Sequence, residues 1–298
     1  MLSFLIIIIL GVVEGITEWL PISSTGHLIL LGNVLDPGFS PEFMQVFNVV
    51  IQFGAILAVI VIFIKKLWPF HTPAKAPEGG YFLNPVDSGA AGAFQKFVNN
   101  FVYPGRIVLW LKIAVSSIPA LVVGLLFEDW LEEHLHKPLP VAIMLIVYGV
   151  LFIVIENAKK GSDFRVRNVR RINWTDALLI GCFQALALIP GTSRSGAIIV
   201  GALIIGLART VAAEYAFYLA IPAMLGASII KIVKFGMHFT GTELAALILG
   251  SAVAFVVSVF VVRFFMKFVS NHDFKVFGYY RIVLGALVII CAAAGFIQ

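Results

Sequence analysis

The sequence predicts an all-α polytopic membrane protein made of two inverted-topology repeats, each with one re-entrant helical hairpin and about three transmembrane helices. Three observations carry this expectation. First, the 298 residues are 60% hydrophobic and only 12% charged. A soluble domain carries about 25% charged residues, so this chain has too little polar surface to face water. Second, apolar runs recur at helical length, unlike the short alternating segments of a membrane β-barrel. Third, two stretches match at a fixed offset. Gly11–Leu30 reads GVVEGITEWLPISSTGHLIL and Gly181–Val200 reads GCFQALALIPGTSRSGAIIV. Sliding one onto the other by 170 residues pairs Gly11 with Gly181, Ser23 with Ser193 and Gly26 with Gly196. Glu14 then meets Gln184, and Ser24 meets Arg194. One broken helix is present twice, once acidic and once basic.

In chain order, the first repeat is expected over residues 1–158. Phe4–Val13 is apolar but shorter than the roughly 20 residues a span needs. Pro21 and Gly26 follow closely, so the segment of about 4–33 reads as a helix that enters the membrane and turns back. Such backbone is tolerated only where protein or a wet cavity surrounds it. No Lys or Arg precedes the run and no small-x-small site follows it, so no cleaved signal is expected. Asp36-Pro37-Gly38 closes the unit. Spans are expected at about 43–64, 107–127 and 139–155. The polar segment Lys65–Arg106 separates the first two, with a short surface helix suggested by Phe94-Gln95-Lys96-Phe97. An acidic loop with Glu128, Asp129, Glu132 and Glu133 separates the last two.

Residues 159–173 form a basic linker containing Lys159, Lys160, Arg165, Arg167, Arg170 and Arg171. The second repeat, 174–298, begins with another short apolar run, Ala177–Ile189, that ends at Pro190. With Ala197–Ala208 it gives a second re-entrant hairpin of about 176–208, and spans are expected at about 211–233, 244–262 and 279–297. A related offset of 172 pairs Glu42 with Glu214, Phe43 with Tyr215, Gly54 with Gly226 and Ala55 with Ala227.

Three spans is an odd number, so the halves are expected to have opposite orientations. The charges agree. With the linker in the cytoplasm, the basic segment Lys65–Arg106 and the loop with Lys267 and Lys275 are also cytoplasmic, and the acidic loop falls outside. The hairpins then enter from opposite sides and their tips can meet near the midplane. The net charge of +5 belongs to these loops, and no nucleic-acid partner is expected.

Glu14 and Glu18, four apart, share one helix face. A charge at membrane depth is costly by about 2.5–3.5 kcal/mol on insertion scales, so this pair points to metal ligation or general-base catalysis. Ser23, Ser24, Thr25, Gly26 and His27 place hydroxyls and an imidazole at the start of a new helix. That position caps the helix or binds an anion. Gly191, Thr192, Ser193, Arg194 and Ser195 repeat the pattern with an arginine. Arg194 either pairs with Glu14 or Glu18 or forks onto a phosphate. Two carboxylates and one arginine leave this site net negative. Phosphate binding would then need a divalent cation, Mg²⁺ or Ca²⁺, held by Glu14 and Glu18. His27 would serve as general acid or nucleophile. Cys182 and Cys291 lie in apolar runs and read as packing residues; His71, His134, His136, His238 and His272 read as solvated.

At these motifs the chain resembles the undecaprenyl-diphosphatase family, also called bacitracin resistance proteins. The likeness lies in Glu14-x-x-x-Glu18 running into Pro21–His27, in Pro190–Ser195, and in Val49–Gln52 and Glu214. The resemblance implies a bacterial inner-membrane enzyme that removes the terminal phosphate of undecaprenyl pyrophosphate. Its polyprenyl diphosphate substrate would enter from the bilayer, its site would face the periplasm, and a homodimer is compatible with it. The family's glutamates fall on Glu14 and Glu18, its serines on Ser23, Ser24 and Ser193, its histidine on His27 and its arginine on Arg194. Two positions depart from the family pattern: Ile198 stands where a threonine is common and Asn48 where an acidic residue is common, and neither is assigned a role. The competing class is a lipid flippase or transporter, which shares the inverted-repeat architecture.

The topology has a direct check. Single cysteines placed in Lys159–Arg171 and in Glu128–Lys137, in a background lacking Cys182 and Cys291, should react differently with an impermeant thiol reagent in intact cells. Equal labelling of the two segments would defeat the expectation of three spans per half.

Overall fold

A computed structural model of the chain describes residues 2–32, 35–73, 81, 89–135, 137–236 and 238–297, with the side chains of residues 32, 128, 129 and 132 outside the description. The described residues form helices α1 (Leu2–Thr17), α2 (Ser24–Gly32), α3 (Pro41–Leu67), α4 (Gly89–Phe101), α5 (Pro104–Leu135) and α6 (Pro138–Ala158). Helices α7 (Trp174–Ala185), α8 (Arg194–Ile205), α9 (Arg209–Phe235), α10 (Gly241–Asn271) and α11 (Lys275–Ala293) follow. Six of them, α3, α5, α6, α9, α10 and α11, are long and apolar enough to cross a membrane, and α1, α7 and α8 are apolar but shorter.

Local chemistry sets the helix ends. Ser40 caps α3 by accepting the Phe43 N–H, with Pro41 at the first helical position. Asn173 and Asp176 form a reciprocal capping box on α7, and Thr240 and Glu243 do the same on α10. Gly206, in the left-handed conformation, ends α8.

The short helices pack across the two halves. α1 lies on α10 and α7 on α5, while α3 packs on α9 and α6 on α11. Exchanging α1 with α7, α3 with α9, α5 with α10 and α6 with α11 maps this set onto itself. The match is partial: α10 also runs along α3, whereas α5 touches α9 only a little. In a bilayer, apolar burial does not drive helices together, and close backbone approach through small residues does much of that work. Accordingly, a Cβ on Gly11 would lie 2.9 Å from the Gly250 carbonyl oxygen, and one on its offset partner Gly181 would overlap that of Ser116. Gly149 and Gly278 bring α6 and α11 together in the same way.

One end of the bundle is knitted by charge. There Lys66 of α3 meets Glu214 of α9 at 2.9 Å, and Arg165 of the linker meets Asp176 of α7 at 2.6 Å. Arg209 of α9 forks onto the buried Glu156 of α6, which also accepts the Phe274 N–H at 3.1 Å. Lys112 of α5 donates to the Ile172 carbonyl. The basic linker, the C-termini of α3, α6 and α10 and the N-termini of α5, α7, α9 and α11 therefore share one end.

Several expectations need correction. The acidic residues after 127 are helical: α5 continues to Leu135, so 128–133 are its last turns rather than a loop. α10 extends well beyond 244–262, and α11 begins four residues before 279. The surface helix exists and is longer, as α4. Cys182 is exposed on the outer face rather than packed inside. His71 is not simply solvated: its ring nitrogens lie 2.8 Å from the Thr72 carbonyl oxygen and 3.2 Å from that of Val102. His134 and His272 stack on Trp130 and Phe268, His238 is exposed, and His136 lies outside the described residues.

Gly54 and Gly226 separate sequence pairing from packing. A Cβ on Gly54 would overlap the backbone of Ser251 on α10, whereas one on Gly226 meets nothing within 4 Å. Gly54→Ala should lower stability in detergent by about 1–3 kcal/mol through overpacking. Gly226→Ala should be neutral or stabilise by up to about 1 kcal/mol through helix propensity. Thermal unfolding of both variants checks this, and equal destabilisation would show that packing at Gly54 is not the cause.

Candidate active site

Two helix breaks build the site. α1 ends at Thr17, and residues 18–23 turn before α2 starts at Ser24. After α7, a single 3-10 turn, Leu186–Leu188, and residues 189–193 lead into α8, which starts at Arg194. The residue preceding each new helix is a serine with positive φ: Ser23 at +71° and Ser193 at +65°, the two non-glycine cases among the described residues. They are the pair matched by the offset of 170. Such a conformation costs of order 1–3 kcal/mol and persists only when its surroundings hold it. Ser193 recovers part of that by capping α8, accepting the Gly196 N–H at 3.3 Å.

The two tips meet at one carboxylate. Arg194 Nη2 donates to Glu18 Oε1 at 2.8 Å, with side chains only 15% and 10% exposed. The Ser24 hydroxyl donates to Glu18 Oε2 at 3.1 Å. Of the two sequence readings of Arg194, the counter-ion reading is therefore the one seen here. Nη1 of Arg194 is buried without a hydrogen-bond partner, which leaves donor capacity for an incoming anion.

Glu14, one turn before Glu18, is fully buried, and neither of its carboxylate oxygens has a hydrogen-bond partner. Its polar neighbours are Glu18, Gln52 of α3 and Arg194. Gln184, its offset counterpart, is also buried with an unpartnered side-chain oxygen. His27 is held at both ends of its ring. Nδ1 lies 2.8 Å from the Ser23 carbonyl oxygen, and Nε2 lies 2.7 Å from the Tyr280 hydroxyl, with the two rings stacked. A carbonyl only accepts, so Nδ1 carries the proton and, in the neutral ring, Nε2 accepts from Tyr280. The hydrogen bonds of His27 thus run to Ser23 and Tyr280 rather than to Glu18 or Arg194.

The remaining predicted residues are mainly architectural in this arrangement. Ser195 donates to the Leu20 carbonyl at 3.5 Å and shares a 3.2 Å hydrogen bond with Ser193. The Thr192 hydroxyl is buried and unpartnered. Thr25 and Gly26 occupy the first turn of α2, and Gly26 faces Leu145. Gly191 takes φ +90°, where an added Cβ would overlap the Val141 backbone.

Sequence reasoning missed Arg281 and Tyr280 of α11. Arg281 is fully buried and donates to the Pro21 carbonyl at 3.1 Å, to Gly191 at 2.7 Å and to Thr192 at 2.8 Å. One guanidinium thus holds both tips. The signal was present: an arginine two residues into an expected span is a functional candidate by default. The Arg281 guanidinium is engaged by these carbonyls and lies 5.5 Å from the centre of the Tyr148 ring. At the tips themselves Glu14 and Glu18 against Arg194 leave −1.

Among the described residues no group of three or more His, Cys, Asp or Glu is arranged to hold a metal. What fits a divalent cation is the donor set at Glu14, a buried carboxylate with two free oxygens. Glu18 fits less simply, because both of its oxygens are already engaged.

Comparison with known proteins places these features in a family. The family model for the bacitracin resistance protein BacA matches residues 7–287. An undecaprenyl-diphosphatase of Enterococcus faecalis is 49% identical over 98% of both chains. Relatives of the same name from Lachnoclostridium phytofermentans and Acetivibrio thermocellus are 48% identical over 96% of both chains, and 46% identical over 97% of this chain and 98% of the relative.

The ion pair can be tested without an activity. Glu18→Gln and Arg194→Gln each leave a buried partner uncompensated and should each destabilise by about 3–5 kcal/mol. The double variant should be far less destabilised than their sum. Unfolding in detergent gives the coupling, expected at roughly 0.5–3 kcal/mol in magnitude; strict additivity would mean the two do not interact.

Proposed function

This chain belongs to the BacA family of bacitracin resistance proteins, and from that premise we propose that it is an integral membrane phosphatase. It hydrolyses undecaprenyl pyrophosphate to undecaprenyl phosphate and inorganic phosphate, recycling the carrier lipid for cell-wall synthesis. The observation that carries the reading is the hydrogen bond from Ser24 to Glu18 beside Arg194. A hydroxyl, a carboxylate base and an anion-binding guanidinium at one point are what phosphoryl transfer uses. A carrier that only moves the lipid needs the guanidinium but not the hydroxyl–carboxylate pair.

In this mechanism Ser24 Oγ attacks the terminal phosphorus as Glu18 takes its proton. The bond to the bridging oxygen breaks, releasing undecaprenyl phosphate, and water then frees the phosphate from Ser24. Arg194 orients the phosphoryl oxygens and stabilises their growing charge. Backbone N–H groups at the starts of α2 and α8 add to that field. When His27 carries a second ring proton, its Nε2–H donates to the Tyr280 oxygen, which frees the Tyr280 hydroxyl proton for the departing lipid phosphate. Glu14 and Glu18 would hold a divalent cation, Mg²⁺ or Ca²⁺, which would supply charge neutralisation for the diphosphate.

The two short helix pairs are read as re-entrant hairpins of inverted repeats. Their exchanged packing partners, the matched serines of positive φ and the matched glycines support that reading. The bacterial inner membrane is the location, with the basic end in the cytoplasm. The ion pairs that knit this end favour a site that opens to the periplasm.

Purified full-length protein in detergent, given a polyprenyl diphosphate, should release phosphate; chelation should abolish release and Mg²⁺ or Ca²⁺ restore it. Ser24→Ala should fold, bind lipid and lose about 10²–10⁴ in kcat. Tyr280→Phe should lower kcat more than it changes KM. Full activity in excess chelator refutes the cation, and near-normal turnover by Ser24→Ala reduces Ser24 to a phosphate ligand.

A further inference from the structure

A second basic pocket lies away from the site described above. It forms where α3 ends and α5 begins, as a cleft of about 700 Å³ whose walls include Lys65, Trp68, Phe70, His71, Tyr103 and Arg106. No acidic side chain lines it among the described residues. The backbone there is fixed. His71 N–H donates to the Phe101 carbonyl and Tyr103 N–H to the Pro69 carbonyl, both at 2.8 Å, and Phe70 and Val102 form an antiparallel bridge.

Its cations are placed and only partly used. The Arg106 guanidinium lies 3.9 Å from the centre of the Tyr103 ring and donates through Nη1 to the Trp68 carbonyl; its Nε is buried with no partner. Lys65 is exposed and forms no ion pair among the described residues. Both ring nitrogens of His71 lie near carbonyl oxygens, those of Thr72 and Val102, which fixes the ring against the cleft wall. Around these cations stand large exposed rings: Trp68 is 54% and Phe70 48% exposed. The surface continues along α4, whose C-terminal residue Phe101 borders the cleft. There Phe94, Phe97 and Phe101, spaced i, i+3, i+7, are all exposed.

Aromatic rings and basic side chains together at the ends of membrane spans occupy the level of lipid phosphates. We propose that this cleft binds the phosphate headgroup of an anionic phospholipid from the leaflet at the basic end of the bundle. Arg106 and Lys65 hold the phosphate oxygens, and Trp68 and Phe70 lie against the glycerol and upper acyl chains. Free phosphate would use the cations but leave the rings uncovered, which is why a lipid is the assigned occupant. The cleft shares no residue with the Glu18–Ser24–Arg194 centre, so the proposal does not depend on the catalytic reading.

Native mass spectrometry of the delipidated full chain tests it. Phosphatidylglycerol adducts should form at roughly thirtyfold lower lipid concentration than phosphatidylcholine adducts, the scale expected for two basic side chains near an anionic lipid. Lys65→Gln/Arg106→Gln should lose that preference. Because the Arg106 change removes a backbone contact, Lys65→Glu serves as a second variant; its exposed side chain makes no structural bond, and the preference should fall about fivefold or more, the scale of one basic side chain. The proposal is overturned by equal binding of the two lipids to the unaltered chain or by an undiminished preference in Lys65→Glu. Displacement of phosphatidylglycerol by inorganic phosphate at matched ionic strength also overturns it.

Discussion

The arrangement depends on how two broken helices are held inside an apolar bundle. A helix break frees backbone carbonyls and N–H groups that water cannot reach, and each buried orphan is costly. Arg281 answers this for both breaks at once. Its guanidinium offers five donors in a rigid plane and binds the carbonyls of Pro21, Gly191 and Thr192. The two turns are thereby fixed relative to each other and to α11. Ser23 and Ser193 can keep strained conformations because neither turn is free to relax. Glu18, Ser24 and Arg194 come together as a consequence.

One end of the bundle is tied by charge. There Lys66–Glu214, Arg165–Asp176 and Arg209–Glu156 join neighbouring elements. Glu18–Arg194 joins the two helix breaks in the same way. Exposed ion pairs are worth little, but Glu156 is almost wholly buried and also binds the Phe274 N–H. Removing Arg209 would strand a buried carboxylate, so this closure is not casually opened.

Much of this was legible in the sequence, for physical reasons that can be named. Helix class and span number follow from long apolar runs, which in a bilayer leave few alternatives. The centre was legible because Glu14, Glu18 and Arg194 are charges in apolar surroundings. What the sequence did not show was partnership. Glu18, rather than Glu14, takes Arg194, and the choice depends on how two turns 176 residues apart are aligned. Tyr280 and Arg281 were absorbed into a span because they open an apolar run. The acidic turns of α5 were read as a loop because charge was taken to end the helix, whereas charge ends only the part suited to lipid. The Gly54–Gly226 pair shows the remaining gap: identical residues at matched positions, one against a backbone and one in open space.

Under the phosphatase reading Arg194 would serve two partners. Its Nη2 already binds Glu18, to which Ser24 is hydrogen-bonded, and its Nη1 is buried and unpartnered. A diphosphate would bring negative charge and a geometry that matches the guanidinium fork. Nη1 would then meet phosphate while Nη2 keeps Glu18 beside Ser24, so one side chain would align base, hydroxyl and phosphorus together. A lysine at this position could not serve both partners in this way, since a single ammonium lacks the second arm of the fork.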